Sequence, residues 1–182
     1  MSFETCPLPG AIIVRPKVYS DSRGYFKEIS RKDKYAENGI FTNFVQVNMS
    51  YSKHNVIRGM HYQLKSPQAK LVSVAYGRIY DVIIDCRKSS PAFGKWFGIE
   101  LSAEGGEELF VPEGFAHGFR VLSDSAAVVY QCSDYYNPAD EYGINIFSPS
   151  LAIDWACPDA IVSDKDRILP SFDTVEPNNL PE

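Results

Sequence analysis

The chain is poor in several residue types, with only 3 His, 3 Met, 2 Trp and 4 Cys in 182 residues. The cysteines, Cys6, Cys86, Cys132 and Cys157, stand far apart and form no CxxC pair, which excludes a zinc ribbon and a dithiol redox motif. They read as buried free thiols of a reducing compartment rather than as a disulfide framework. Positive charge is also in short supply. Eighteen Lys+Arg against 23 Asp+Glu leave a net charge of −5, without the basic footprint of a nucleic-acid binder. That balance still leaves room for a small anion held by a few local arginines. Long apolar runs are missing too. The longest near the start, Ala11-Ile12-Ile13-Val14, is too short for a secretory signal and far below the ~20 residues of a membrane span. The expectation is a cytoplasmic protein with no membrane partner. No repeat, low-complexity tract or interdomain linker interrupts the chain, and 182 residues suit a single domain over 1–182.

Aromatic residues are abundant, at 13% with 11 Tyr and 11 Phe, and aromatics favour pleated, half-buried surfaces. Strand candidates follow one another at 44–50, 56–63, 70–76, 78–86, 95–101, 107–111, 117–123 and 126–133. Between them lie turn residues such as Gly77, Gly94, Gly105-Gly106 and Ser123-Asp124. Only 30–38 and short pieces after Pro138 and Ser163 read as helical. The succession predicts an all-β fold, an antiparallel jelly-roll barrel with a few short flanking helices. Period 2 then assigns faces. Val128, Tyr130 and Cys132 share one face, and Lys70 lies on the side of Val72, Val74 and Tyr76. A lysine on an apolar face is costly to bury unpaired, so Lys70 either snorkels at a strand end or serves a site.

The segment Val56-Ile57-Arg58-Gly59-Met60-His61-Tyr62-Gln63 places polar groups inside an apolar strand. Alone, His61 reads as an ordinary core or turn histidine. A second segment, Pro112-Glu113-Gly114-Phe115-Ala116-His117-Gly118-Phe119, resembles the second signature of the cupins, which are double-sheet β-barrels. The matching first signature here is His61-Tyr62-Gln63, without the second histidine of the usual HxH. Transition-metal sites need three or four His, Cys or carboxylate ligands, so the expectation is a metal-free barrel. No dinucleotide fingerprint, P-loop or GxSxG elbow is present. The polar set that remains suits proton abstraction beside a carbonyl. A neutral His can take a carbon-bound proton, a Tyr can return one to the opposite face, and a Lys can stabilise the enolate between. Arginine forks suit a diphosphate. Removal on one face and return on the other is inversion, which needs no cofactor.

These segments, together with Asp21-Ser22-Arg23-Gly24-Tyr25-Phe26-Lys27-Glu28, Phe44-Val45-Gln46-Val47-Asn48, Gln68-Ala69-Lys70, Asp81-to-Arg87 and Tyr130-Gln131-Cys132, resemble the dTDP-4-dehydrorhamnose 3,5-epimerase family. The resemblance runs from about residue 8 to 173 in the family's order and spacing. It implies a cupin-type double-sheet jelly roll, homodimeric and without metal or cofactor, acting on a nucleotide-linked 4-keto-6-deoxyhexose. By position, His61 resembles the general base, Asp166 the carboxylate that orients it, Tyr130 the opposite-face acid and Lys70 the enolate stabiliser. His117 would line the sugar site. Arg23 and Arg58 resemble diphosphate and sugar contacts, while Phe26 and Glu28 resemble holders of the nucleotide base, across a subunit interface. Gln46, Asn48, Glu141 and Lys165 sit where the family meets its substrate.

Plainer readings stand beside these. Ser163-Asp164-Lys165-Asp166 also has a helix-capping pattern, Tyr130 could be core, and Glu141 could face a helix dipole. Asp81, Asp85 and Arg87 read as structural ion pairs with no catalytic role. Phe147-Ser148-Pro149-Ser150 and Trp155-Ala156 depart from the family pattern, which leaves the local loop and the fine shape of the sugar pocket open. A single-carbon epimerase and a non-catalytic sugar-nucleotide-binding cupin are the alternatives.

Overall fold

A computed structural model describes residues 1–182. Its strands are β1 Ser2–Thr5, β2 Ile12–Arg15, β3 Val18–Asp21, β4 Gly24–Lys27, β5 Gln46–Lys53, β6 Ile57–Gln63, β7 Lys70–Tyr76, β8 Arg78–Asp85, β9 Trp96–Ser102, β10 Glu108–Val111, β11 Phe115–Val121, β12 Ser125–Cys132 and β13 Glu141–Gly143. Helices are few and short, α1 Lys32–Glu37 and α2 Asp164–Arg167, with 3₁₀ turns at Pro138–Asp140, Phe172–Thr174 and Pro177–Asn179. No helix is long and apolar enough to cross a membrane.

Two antiparallel sheets face each other, one ordered β1-β2-β10-β7-β12-β5 and the other β13-β6-β11-β8-β9, with β3-β4 as a separate hairpin. Alternation fills the space between them. Ile13, Val72, Leu109 and Val128 from the first sheet meet Ile79, Ile83, Leu101 and Phe119 from the second. The second sheet is also covered on its outer face, where Ile57, Met60, Val82 and Ile84 pack under Ile144, Ile146, Leu151 and Trp155. Burial on both faces explains why β8 carries an unbroken Val82-Ile83-Ile84 run instead of a clean alternation.

All eight predicted strands are present with ends shifted by at most three residues, and α1 lies within the predicted helical segment. The four strands before residue 44, and β13, are additional. They are only three or four residues long, too short for period 2 to stand out from turn-rich surroundings. Two glycines are required by geometry. Gly77 turns β7 into β8 at φ +77°, where a Cβ would lie 2.1 Å from the Ser125 carbonyl oxygen. Gly59, at φ +115°, faces Gly118 so closely that a Cβ would sit 2.5 Å from its Cα, which lets β6 and β11 close up beside His61 and His117.

The four cysteines are free thiols, with Cys6, Cys86 and Cys132 buried. Asp85 meets Arg87 at 2.7 Å and also accepts a hydrogen bond from Ser90, as a structural ion pair should. Asp81 does not join that pair; its partner is His117.

Glu108 on β10 is 2% exposed and lies outside the site. The Tyr35 hydroxyl is 3.0 Å from the Ile29 carbonyl oxygen and 2.8 Å from Glu108 Oε2. A phenol has one hydrogen and a carbonyl only accepts, so both contacts are made together when Glu108 is protonated and donates to Tyr35. Burial pushes this carboxyl up to about 7, against the opposing hydrogen bond to Tyr35 and the charge of Lys27. The folded value thus lies above the ordinary 4.5, and the folded state binds the extra proton between the two. Stability should therefore fall as pH rises through this window, by on the order of 3 kcal/mol. Glu108→Gln keeps a donor without a titrating group. Urea unfolding at about pH 5 and about pH 8 should show the slope reduced in that variant; an identical slope in both proteins would refute the assignment.

Candidate active site

One end of the space between the sheets is polar and open, a cavity of about 360 Å³. Its walls come from the inward positions of facing strands. On β6, Met60 and Tyr62 point outward into the covering layer, and the alternate positions His61 and Gln63 line the cavity. On β12, Val128 belongs to the apolar interior, and Tyr130 and Cys132 carry the same face on into the cavity. Lys70 does the same at the start of β7, below Val72 and Val74. The predicted face of β12 holds, and that of β7 holds for Lys70, Val72 and Val74, but a register irregularity pairs Tyr76 with Ala127 and leaves it 61% exposed.

His61 Nε2 lies 2.7 Å from Asp166 Oδ1, and Nδ1 lies 3.6 Å from Glu141 Oε1. A carboxylate can only accept, so Asp166 places the hydrogen on Nε2 and leaves the lone pair on Nδ1. Once Nδ1 takes a proton, Glu141 stands ready to face the imidazolium. Burial pushes the Asp166 carboxyl up, but the hydrogen bond and charge of His61, with Ser163, hold it below the usual carboxylate range. The Asp166 backbone N–H also donates to Ser163 Oγ at 3.1 Å. The residue therefore serves the capping pattern and the histidine together. Glu141 follows the same balance. Burial raises it, while Lys165, His61 and the Tyr136 hydroxyl at 2.9 Å lower it further than that.

Tyr130 lies on the opposite sheet. Its hydroxyl is 2.7 Å from Ser50 Oγ, and burial pushes it up to about 12. Burial pulls Lys70 below the usual lysine value, opposed by Cys132, Glu141 and Asp81. His117 donates from Nε2 to Asp81 Oδ1 at 2.8 Å and packs edge-on against the Tyr130 ring at 6.0 Å between centroids. Arg58 donates from Nε to Ser52 Oγ at 2.8 Å. No cluster of three or more His, Cys, Asp or Glu side chains is placed to hold a metal ion.

Nine of the thirteen residues singled out by sequence meet in this cavity: His61, Lys70, Tyr130, Asp166, Asn48, Arg58, His117, Glu141 and Lys165. Gln46 stands just behind it, donating to Asn48 Oδ1 and accepting from the Tyr136 backbone N–H, each at 2.9 Å. Arg23, Phe26 and Glu28 are elsewhere. Arg23 pairs with Asp21 on the β3-β4 hairpin, Phe26 is 69% exposed beside Tyr19, and Glu28 is 3.9 Å from Arg31. A single chain does not bring these three to the cavity.

Other residues at the site were not foreseen. Asp81, expected only in a structural ion pair, orients a cavity histidine and is fully buried. Its signal was present, since a carboxylate between Ile79 and Ile83 on an inward face is as anomalous as Lys70 on β7. Ser50 and Tyr136 carry no such mark. The departures at 147–150 and Trp155-Ala156 lie away from the cavity lining. Ser148 is buried against Ser171 and Phe172, and Trp155 donates to the Ile146 carbonyl, all outside the cavity lining.

A cupin-type double-sheet barrel with a histidine–carboxylate pair on one wall and a tyrosine and lysine on the other defines an enzyme of proton transfer, an isomerase. The family model described as dTDP-4-dehydrorhamnose 3,5-epimerase matches residues 5–174, and the chain belongs to that family. It is 48% identical over 163 residues to a dTDP-4-dehydrorhamnose 3,5-epimerase of Methanothermobacter thermautotrophicus, covering 88% of each chain. A crystal structure of the Legionella pneumophila 3,5-epimerase in complex with dTDP-4-keto-L-rhamnose superposes with a TM-score of 0.95 at 41% identity, over 100% of this chain and 97% of that one. A 3′-monoepimerase from Streptomyces bikiniensis in complex with dTDP-quinovose superposes at 0.89 with 33% identity, over 97% and 91%.

Proposed function

We propose that the chain converts dTDP-4-dehydro-6-deoxy-D-glucose to dTDP-4-dehydro-L-rhamnose by inverting C3 and C5. The observation that carries this reading is the placement of His61 and Tyr130 on facing sheets, β6 and β12, across one cavity. His61 Nδ1 takes the proton from a carbon α to the C4 carbonyl. The C–H electron pair moves into the enolate, and Lys70 stabilises the oxygen. Tyr130 gives its proton to the other face, and the proton held by His61 returns to Tyr130 through solvent, so the cycle is proton-neutral. Asp166 orients His61. Both carbons flank the same carbonyl, so one base serves both when the intermediate repositions. The carbonyl already acidifies these C–H bonds, so no redox cofactor or metal is needed.

In this reading Asn48, Arg58, His117, Glu141 and Lys165, which line the cavity, hold the sugar and diphosphate, with Gln46 bracing Asn48. Arg23, Phe26 and Glu28 serve the nucleotide from a second copy in a homodimer. Support for a second copy comes from the outer face of β5, where Val47, Met49 and Tyr51 are all more than 60% exposed, an apolar stripe that a monomer has no reason to display. The whole chain, 1–182, acts as one domain, and the free thiols suit the cytoplasm.

The test is incubation with dTDP-4-keto-6-deoxyglucose in deuterated water. Deuterium at both C3 and C5 of an L-sugar product is expected. Label at one carbon alone would replace this reading with the single-carbon one, which the fold of the S. bikiniensis 3′-monoepimerase also accommodates. Failure to exchange at all would leave a sugar-nucleotide-binding cupin.

A further inference from the structure

β5 is the edge strand of its sheet, and its sequence is reversed from that of an ordinary barrel strand. Met49 and Tyr51 point outward and are exposed, whereas Asn48 and Ser50 line the cavity. Register fixes their neighbours. Asn48 lies opposite Tyr130, and Ser50 lies opposite Val128, one step along the same face. The Ser50 hydroxyl therefore reaches the Tyr130 oxygen at 2.7 Å.

A phenol has one hydrogen and spare lone pairs. If Tyr130 donated that hydrogen to Ser50, it could not also aim it at a substrate carbon. We propose that Ser50 is a positioning residue for the opposite-face protonation: its Oγ–H donates to the Tyr130 oxygen, leaves the phenol hydrogen free to point into the cavity, and stabilises the phenolate formed when that hydrogen moves to carbon. The inference rests on the acid role proposed for Tyr130. It needs no further reactant, because the phenol O–H bond breaks, the C–H bond forms, and Ser50 keeps its own proton throughout. Burial is the main cause that drives Tyr130 upward, with Asp81 and Cys132 adding to it, and the Ser50 hydrogen bond is the largest contribution against it. Without Ser50 the acid would leave behind a poorly solvated anion.

The experiment measures product formation and solvent-deuterium exchange into substrate side by side. Ser50→Ala should lower product formation about tenfold, the size of one hydrogen bond to a forming charge. Exchange driven by His61 should change less than about twofold and KM should stay within about twofold, because the contact is made to the acid and gains its strength in the transition state. Ser50→Thr, which keeps the hydroxyl, should restore most of the lost product. Tyr130→Phe should show the same divergence more strongly, and adding Ser50→Ala to it should cost nothing further, since the group on which Ser50 acts is gone.

Divergence in Tyr130→Phe without divergence in Ser50→Ala would overturn the role of Ser50 and leave the acid assignment standing. No divergence in Tyr130→Phe would overturn both. A Ser50→Ala protein that loses product and exchange together, or that Ser50→Thr fails to rescue, would show a structural role for Ser50 and also refute the inference.

Discussion

His61→Ala is expected to abolish product formation and deuterium exchange together, each by about 10²–10⁴-fold, the range of a general base in proton transfer. Both are lost because every exchange or inversion event begins with the same proton removal. The substitution leaves Asp166 and Glu141 facing an empty position in place of the ring. Glu141 is not free to replace it, since Lys165 and the Tyr136 hydroxyl already engage its carboxylate. His61→Asn tests whether a polar group of similar reach suffices; it cannot accept the proton near neutral pH, so the loss should persist. Thermal unfolding separates this from misfolding, because His61 is partly exposed and supports none of the apolar clusters. Substantial exchange surviving in His61→Ala would refute its role as base.

Lys70→Met is expected to lower product formation by about 10²–10³-fold, the magnitude seen when one preorganised oxyanion partner is removed. Met keeps most of the length and apolar stem and removes the charge, so packing against the start of β7 should be preserved. Here the electrostatic interaction is strong because burial has already removed water from the ammonium, and the cost of that desolvation is met in the folded protein before substrate arrives. Exchange should fall with product, since removal of the first proton already generates the enolate. This parallel loss distinguishes Lys70 from Tyr130, whose replacement should spare exchange. A loss confined to KM would make Lys70 a binding contact instead.

The two substitutions differ in how far their positions were legible in the sequence. Lys70 stands out in the sequence, because a charge on the face of Val72 and Val74 is energetically anomalous. Asp81 presents the same anomaly between Ile79 and Ile83, but of the set Asp81, Asp85 and Arg87 that reads as structural ion pairs only Asp85 meets Arg87, and Asp81 meets His117. Charge and face were readable, but the partner was not. Gln46, Asn48 and Ser50 alternate with Val45, Val47, Met49 and Tyr51, and alternation by itself does not say which side is inward. The usual rule places the apolar side in the core, whereas here the polar side lines the cavity and the apolar side is exposed.

Sequence alone determined the antiparallel β class, the succession of strands from residue 46 to 132, the face of β12 and that of β7 up to Val74, and a set of polar residues that share one chemistry. These follow from period 2, turn residues and the high cost of burying a charge, all local properties. Only the tertiary structure decided the pairs, His61 with Asp166 across 105 residues, Tyr130 with Ser50 across 80 and His117 with Asp81 across 36. It also separated Arg23, Phe26 and Glu28 from the cavity. The reason is physical. A strand's own sequence sets which side chains share a face, whereas the neighbour that face meets depends on long-range pairing and register, and on which of the facing surfaces is closed by apolar packing and which is left open.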